Sequence, residues 1–277
     1  MRNLLSANLA RLWRNRVFQI EVIFTAVMSV YLCIANYSPV VQASDTPLHL
    51  EDLFFNYYQF MGFVLAACIS LIVGTEYSDG TIRNKLVVGH TRGAIYFANL
   101  IAAACSSVVV VLLHGVLTMA VGTFLFGWFT QPAEYIIGSV ACAGLLTLEY
   151  SALFVLITMN CSSKPVTAVS ALVLMLALTY GASYLGSALN EPEMIYGTRV
   201  VTANTVEYRD LTANPYYLEG TIRQVYQFLY DLLPVGQLLQ MYQLDFSRLH
   251  LWPWLTVGFS GLLTAVGFGC FRKKDIK

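Results

Sequence analysis

Charge is what this chain has least of. Lys, Arg, Asp and Glu together make up 12% of its 277 residues, about half the share found in an ordinary soluble domain. Hydrophobic residues reach 57%, and the mean hydropathy is +0.62. So little charge cannot cover a folded surface against water, which excludes a soluble globular domain and leaves an integral membrane protein. A net charge of zero says little about partners, because the distribution of charge matters more than its sum; no nucleic-acid partner is expected of a membrane domain. Nucleotide and catalytic motifs are missing too. No G-x-x-x-x-G-K-[ST] phosphate loop occurs; Gly74 to Thr81 has two glycines and a threonine, without the lysine or the spacing. The chain therefore lacks the usual loop for binding ATP, and no cofactor of its own is expected. H-E-x-x-H, paired C-x-x-C and G-x-S-x-G are absent as well. The six cysteines, at positions 33, 68, 105, 142, 161 and 270, stand singly, so neither a metal site nor a disulfide framework is expected. Met1 to Arg16 has four arginines but no short apolar core with a cleavage site, so a cleaved signal peptide is not expected.

What the chain does have is long apolar runs. Six of them, at about 17–38, 53–75, 94–125, 135–159, 166–188 and 249–271, are each long enough to cross a ~30 Å hydrocarbon layer. The third is overlong and should tilt or project. The fold class expected is all-α: one polytopic domain, residues 1–277, with six transmembrane helices. Twelve of the sixteen Lys and Arg fall in segments on one side of these spans, whereas Asp45, Glu51, Asp52 and Glu134 occupy loops on the other that hold no Lys or Arg. Both termini are therefore expected in the cytoplasm. Residues 1–16 should form an interfacial helix, with Leu5, Leu9, Leu12 and Trp13 on one arc and Asn3, Arg11 and Arg14 opposite. Residues 189–248 form the one large outer segment. Its stretch Val225 to Tyr242 is apolar enough to suggest a seventh span, but Asp231, Pro234 and several glutamines argue instead for short helices on, or dipping into, the outer leaflet, broken at Pro234. Small residues recur every four positions at Gly62, Ala66, Ser70 and Gly74, and at Gly261, Ala265 and Gly269, as helix contacts within the bundle or across a dimer.

Between the second and third runs lies a charged island, residues 76–92, E-Y-S-D-G-T-I-R-N-K-L-V-V-G-H-T-R. It is too short for a domain and patterned as a short amphipathic helix. Ser78 or Asp79 can cap it, Ile82 and Leu86 fall on one face, Arg83 and Lys85 point elsewhere, and Gly89 lets the chain reverse. An ordinary cytoplasmic loop would look similar. Glu76, Gly80, Thr81, Ile82, Leu86 and Arg92, in the order E-x3-G-T-I-x3-L-x5-R, resemble the signature after the second membrane helix in type-2 ABC exporter permeases. Gly89-His90 stands where many of that family carry a proline, a departure at the exit of the helix. The resemblance extends to the hydropathy layout of the whole chain. It implies a coupling helix that docks into a separate ATPase subunit, with Glu76, Gly80, Thr81, Ile82, Arg83, Lys85, Leu86 and Arg92 as coupling residues. It also implies ATP bound by that partner chain, a second permease copy or paralogue, and a bacterial plasma membrane location. Permeases with a similar stretch include those for peptide antibiotics and lantibiotic immunity, so an amphipathic peptide or lipophilic drug is the expected cargo and sodium or another small ion the alternative.

Ionisable residues inside the spans are Glu21, His114 and Glu149. Glu21 follows Arg16 by about one turn and reads as interfacial. Glu149 falls near mid-depth, where a carboxylate facing lipid costs on the order of 3 kcal/mol, so it should face protein or a wet cavity. His114 shares a helical stripe with Ser107 and Thr118. These four, Glu149, His114, Ser107 and Thr118, are candidates for lining a translocation path; a hydrogen-bonded packing role is the competing reading. A buried site around Glu149 and His114 in an intramembrane enzyme, or a regulatory membrane partner, is the rival class.

Overall fold

A computed structural model describes residues 2–42, 47–161, 163–202 and 205–275. The chain is helical nearly throughout. Its elements are α1 (Arg2–Arg14), α2 (Arg16–Asn36), α3 (Pro39–Gln42), α4 (Leu50–Ser78), α5 (Thr81–Val87), α6 (Arg92–Phe126), α7 (Ala133–Asn160) and α8 (Lys164–Leu189), followed by β1 (Met194–Thr202), β2 (Thr205–Ala213), α9 (Gly220–Leu232), α10 (Pro234–Tyr242) and α11 (Trp252–Lys273). Six helices, α2, α4, α6, α7, α8 and α11, are long and apolar enough to cross a membrane, and each coincides with one of the runs expected from the sequence. The 35 residues of α6 span roughly 50 Å, well beyond a hydrocarbon layer of about 30 Å.

α4 is the centre of the bundle, packed against α2, α6, α7, α8 and α10. Its aromatic residues Phe54, Phe55, Tyr57 and Tyr58 are buried, as are Met61, Leu65 and Ile69. The peripheral helices turn their apolar residues outward: Ile20, Ile23 and Val27 on α2, Val169, Val173 and Leu176 on α8, and Trp254 and Leu262 on α11 are exposed. In water such a surface would aggregate; in lipid it is the expected exterior.

The two ends of the bundle differ. α1, α5 and the end of α11 gather at one end, tied by hydrogen bonds from Arg11 and Lys85 to Glu76 and from Arg92 to the carbonyls of Phe271 and Arg272. The strands and α9 lie at the other, where Arg223 Nη2 donates to the Leu189 carbonyl at 3.0 Å. The antiparallel hairpin, running in register from Met194 opposite Ala213 to Thr202 opposite Thr205, has no counterpart in the sequence reading, which treated 189–248 only for helices. Its strands are rich in β-branched and aromatic residues, a weak strand signal beside the apolar runs. The helices of this segment do break at Pro234, which occupies the first turn of α10 where its missing N–H is harmless. α10 is not a surface helix: Val235, Gln237, Leu238, Gln240 and Met241 are all buried, and it inserts against α4, α7 and α8.

Close helix approach is only partly where the small-residue stripes place it. On α4 the stripe faces inward, Gly62 meeting Met175 and Tyr150, and Gly74 meeting Lys164. On α11 the stripe at Gly261 and Gly269 faces open space. The glycine that admits α7 is Gly267, where an added Cβ would lie 3.0 Å from Leu156 Cβ and 3.2 Å from Leu156 Cα. Gly267→Ala should therefore lower stability by about 1–3 kcal/mol while Gly261→Ala leaves it unchanged, a contrast readable as melting temperatures of the detergent-purified chain.

Candidate coupling site

The joint between α4 and α6 is built from conformational necessities. α4 ends when Asp79 N–H donates to the Thr75 carbonyl at 3.0 Å, and Gly80 then takes the left-handed conformation, φ 64°, which admits the sharp entry to α5. Neither Ser78 nor Asp79 caps α5, contrary to the sequence reading: Asp79 closes α4, and Gly80 occupies the cap position without a side chain. Thr81 opens the first turn. At the far end Gly89, φ 96°, donates to the Leu86 carbonyl and His90 to that of Lys85, both at 3.0 Å, the paired bonds of a Schellman stop. Thr91 Oγ1 accepts from Ala94 N–H and caps α6.

Ile82 and Leu86 lie on one face as expected, but that face packs on the chain's own core. The outward face carries Arg83, Asn84, Val87 and Val88, with the two valines 80% and 78% exposed. Adjacent valines open to water at the tip of a helix are a conspicuous cost unless another surface covers them.

What holds this seven-residue helix is Glu76, whose side chain is fully buried. Its Oε1 accepts from Lys85 Nζ at 2.6 Å and from Arg11, and its Oε2 accepts from Asn99 Nδ2 at 2.8 Å. Asn99 Oδ1 accepts in turn from Asn8 Nδ2 at 2.8 Å, and Asn8 Oδ1 from Lys85 Nζ at 3.1 Å. The hydrogen bonds close a ring through α1, α4, α5 and α6. Burial pushes the pKa of Lys85 below the ordinary lysine value, and Glu76 opposes the shift without cancelling it. Lys85, expected to point away from the apolar face, is thus a structural cation. Asn8, Arg11 and Asn99 were missed; an amide two turns into the apolar α6 was the available signal.

Arg92 acts within the chain as well. Its Nη1 donates to the carbonyls of Phe271 and Arg272, each at 3.1 Å, and to that of Lys274, capping the end of α11 with a cation. Lys274 Nζ lies 4.0 Å from the Tyr77 ring centroid and donates to the Met159 carbonyl at 3.2 Å, which also accepts from Tyr77. The ends of α4, α6, α7 and α11 are therefore locked together beside α5.

The four candidate lining residues are all buried; His114 and Thr118 meet, while Ser107 and Glu149 have neighbours of their own elsewhere. His114 Nε2 meets the Phe54 carbonyl at 3.0 Å, which can only accept, so Nε2 carries the hydrogen and Nδ1 accepts from the Thr118 hydroxyl at 3.2 Å; Ser29 Oγ lies 2.9 Å from Nδ1, its own hydrogen donated to the Thr25 carbonyl. The ring stacks on Tyr57 with centroids 4.2 Å apart. Ser107 pairs with Ser151 across α6 and α7 at 3.2 Å. Glu149 faces α11 near Thr256, whose hydroxyl donates instead to Gln237 Oε1 at 3.1 Å. Gln237 and Gln240 of α10 belong to a polar cluster around Asp231, whose carboxylate accepts from Gln227 at 3.1 Å and Gln240 at 3.2 Å and pairs with Arg248 at 3.1 Å, while its carbonyl accepts from Gln237.

No family model matches the chain, and no curated protein matches it. The Glu76 ring itself is directly testable. Glu76→Gln strands Arg11 and the largely buried Lys85 and should cost on the order of 3 kcal/mol in thermal or denaturant unfolding, and adding Lys85→Met should recover part of that loss rather than add to it.

Proposed function

We propose that this chain is the membrane-spanning permease subunit of an ATP-driven exporter of the type-2 ABC class, working with separate ATPase subunits and a second copy or paralogue. The observation that carries the reading is α5, a rigidly mounted helix between the second and third spans whose exposed tip, Arg83, Asn84, Val87 and Val88, projects from one end of the bundle. A helix of seven residues is too short to stand alone. Anchored by Glu76 below and by Ile82 within, it can pass a push to α1, α4 and α6 without bending. In this reading the α5 end lies in the cytoplasm of a bacterial cell, in keeping with the segregation of Lys and Arg.

Closure of the ATPase pair would press on α5 and rock the spans between inward-open and outward-facing states. The pathway would form between two copies, and the cargo class remains an amphipathic peptide or lipophilic drug, as the resemblance implies. The rival enzyme reading gains no support from geometry, since His114 and Glu149 have separate partners on separate helices.

Because Ile82 faces inward, its substitution would perturb the chain itself; the informative variants are at the tip. Val87→Asp with Val88→Asp should abolish copurification of the ATPase subunit from native membranes while leaving the melting temperature within about 2 °C of the wild type. Retained copurification would remove α5 as the docking element. A separate check concerns sidedness: a thiol at Asn84→Cys should react with a membrane-impermeant maleimide only after the cytoplasmic face is opened. Labelling in intact cells would invert the topology.

A further inference from the structure

Five acids are buried among the described residues, and they fall into two groups. Glu51, Glu76 and Asp231 are each met by hydrogen-bond donors. Glu21 and Glu149 have no hydrogen-bond partner on either oxygen. Glu21, expected at the interface, is 2% exposed. It is the first member of an inward polar stripe on α2, spaced four residues apart: Glu21, Thr25, Ser29 and Cys33, all buried. The opposite face of α2 is apolar and exposed, so the helix is turned polar side in.

The middle of the stripe is hydrogen-bonded. Thr25 Oγ1 meets Tyr57 OH at 2.9 Å, Ser29 Oγ meets the Thr25 carbonyl at 2.7 Å, and Ser29 Oγ meets His114 Nδ1 at 2.9 Å. Glu21 lies below this seam, about 6 Å along the axis from Thr25. The titratable groups around it are the Cys68 thiol and Tyr57 phenol of α4, with His114 of α6 farther along. No ion pair to Glu21 occurs among the described residues; Arg11, the nearby cation of α1 with a partner, is committed to Glu76, and Arg14 and Arg16 are exposed.

We propose that Glu21 is a reversible proton-binding site at the foot of this seam. An ionised carboxylate with no counter-charge, and with no neighbouring donor but the weak Cys68 thiol of α4, is incompatible with the packed α2–α4 interface, so Glu21 takes up a proton when α2 closes on α4 and returns it to water when α2 moves away. No bond other than O–H is made or broken. α2 follows α1 through a single residue, Asn15, and α1 is joined to α5 by the Glu76 ring. Displacement of α5 would therefore reach the proton site. That last link rests on the coupling role assigned to α5; the site itself does not.

The test uses the full chain in nanodiscs, without an ATPase, and the hydrophobic carbodiimide DCCD, which adds to protonated carboxyls in apolar surroundings. Peptide mass spectrometry should find Glu21 labelled, with labelling falling about tenfold for each pH unit above its midpoint and abolished in Glu21→Gln. The melting temperature of the wild type should also fall with rising pH more steeply than that of Glu21→Gln, the isostere of the protonated acid, a difference that pure packing would not produce. Glu149 provides the internal control. Labelling of Glu149 but not Glu21, labelling independent of pH, or protection of Glu21 by sodium at constant pH would each overturn the proposal, the last by making it a metal-cation site. If docking at Val87 and Val88 fails while Glu21 titrates, the proton site stands and only its link to α5 falls.

Discussion

One buried carboxylate carries the α5 end of this protein. Lipid supplies no hydrophobic drive between apolar helices, so elements at the membrane surface are held by directional polar bonds. Glu76 provides three at once, to Lys85, Arg11 and Asn99, and Asn8 closes the ring. Taking a carboxylate out of water is costly, and it is tolerated here because two cations and an amide replace the lost solvent. The same demand for satisfied partners fixes four elements relative to one another. α5 is short, yet it is mounted as firmly as the spans beside it.

A second consequence is that force applied at α5 cannot remain local. Arg92 begins α6 and caps the end of α11, while Lys274 and Tyr77 share the Met159 carbonyl of α7. Farther along the bundle, polar groups again decide the arrangement. His114 is satisfied from three helices, and Asp231 gathers α9, α10 and Arg248. α10 can enter the bundle because its polar side chains and its terminal backbone are met by protein, the condition for irregular chain at membrane depth.

Much of the fold was legible in the sequence. Twenty or more apolar residues in a row have few alternatives to a membrane helix, and all six spans lie where they were read. Pro234 broke its helix for a local steric reason, and Gly89 turned the chain for another. The charged island between the second and third spans showed where a helix would stand but not which way it would face. Ile82 and Leu86 share a face, as their spacing indicates, and the contact that face makes is with the chain's own core. The same ambiguity hid the burial of Glu21 behind its nearness to Arg16, and on α11 it left open the two readings of the glycine stripe, whose members Gly261 and Gly269 open outward, away from the bundle, while Gly267 packs.

Hydropathy, charge segregation and turn chemistry are local properties, and they sufficed for the class of protein, the number of spans and the position of each break. The fates of individual polar residues were decided elsewhere. Glu21, Glu76 and Glu149 are the same side chain and all three are buried, yet one meets two cations and two meet none. Asn8 meets Asn99 across 91 residues, and Arg92 reaches a carbonyl 179 residues away. Inside a bilayer the exterior of a helix is as apolar as its interior, so periodicity does not reveal which face meets protein. Only the packed helices supply that information.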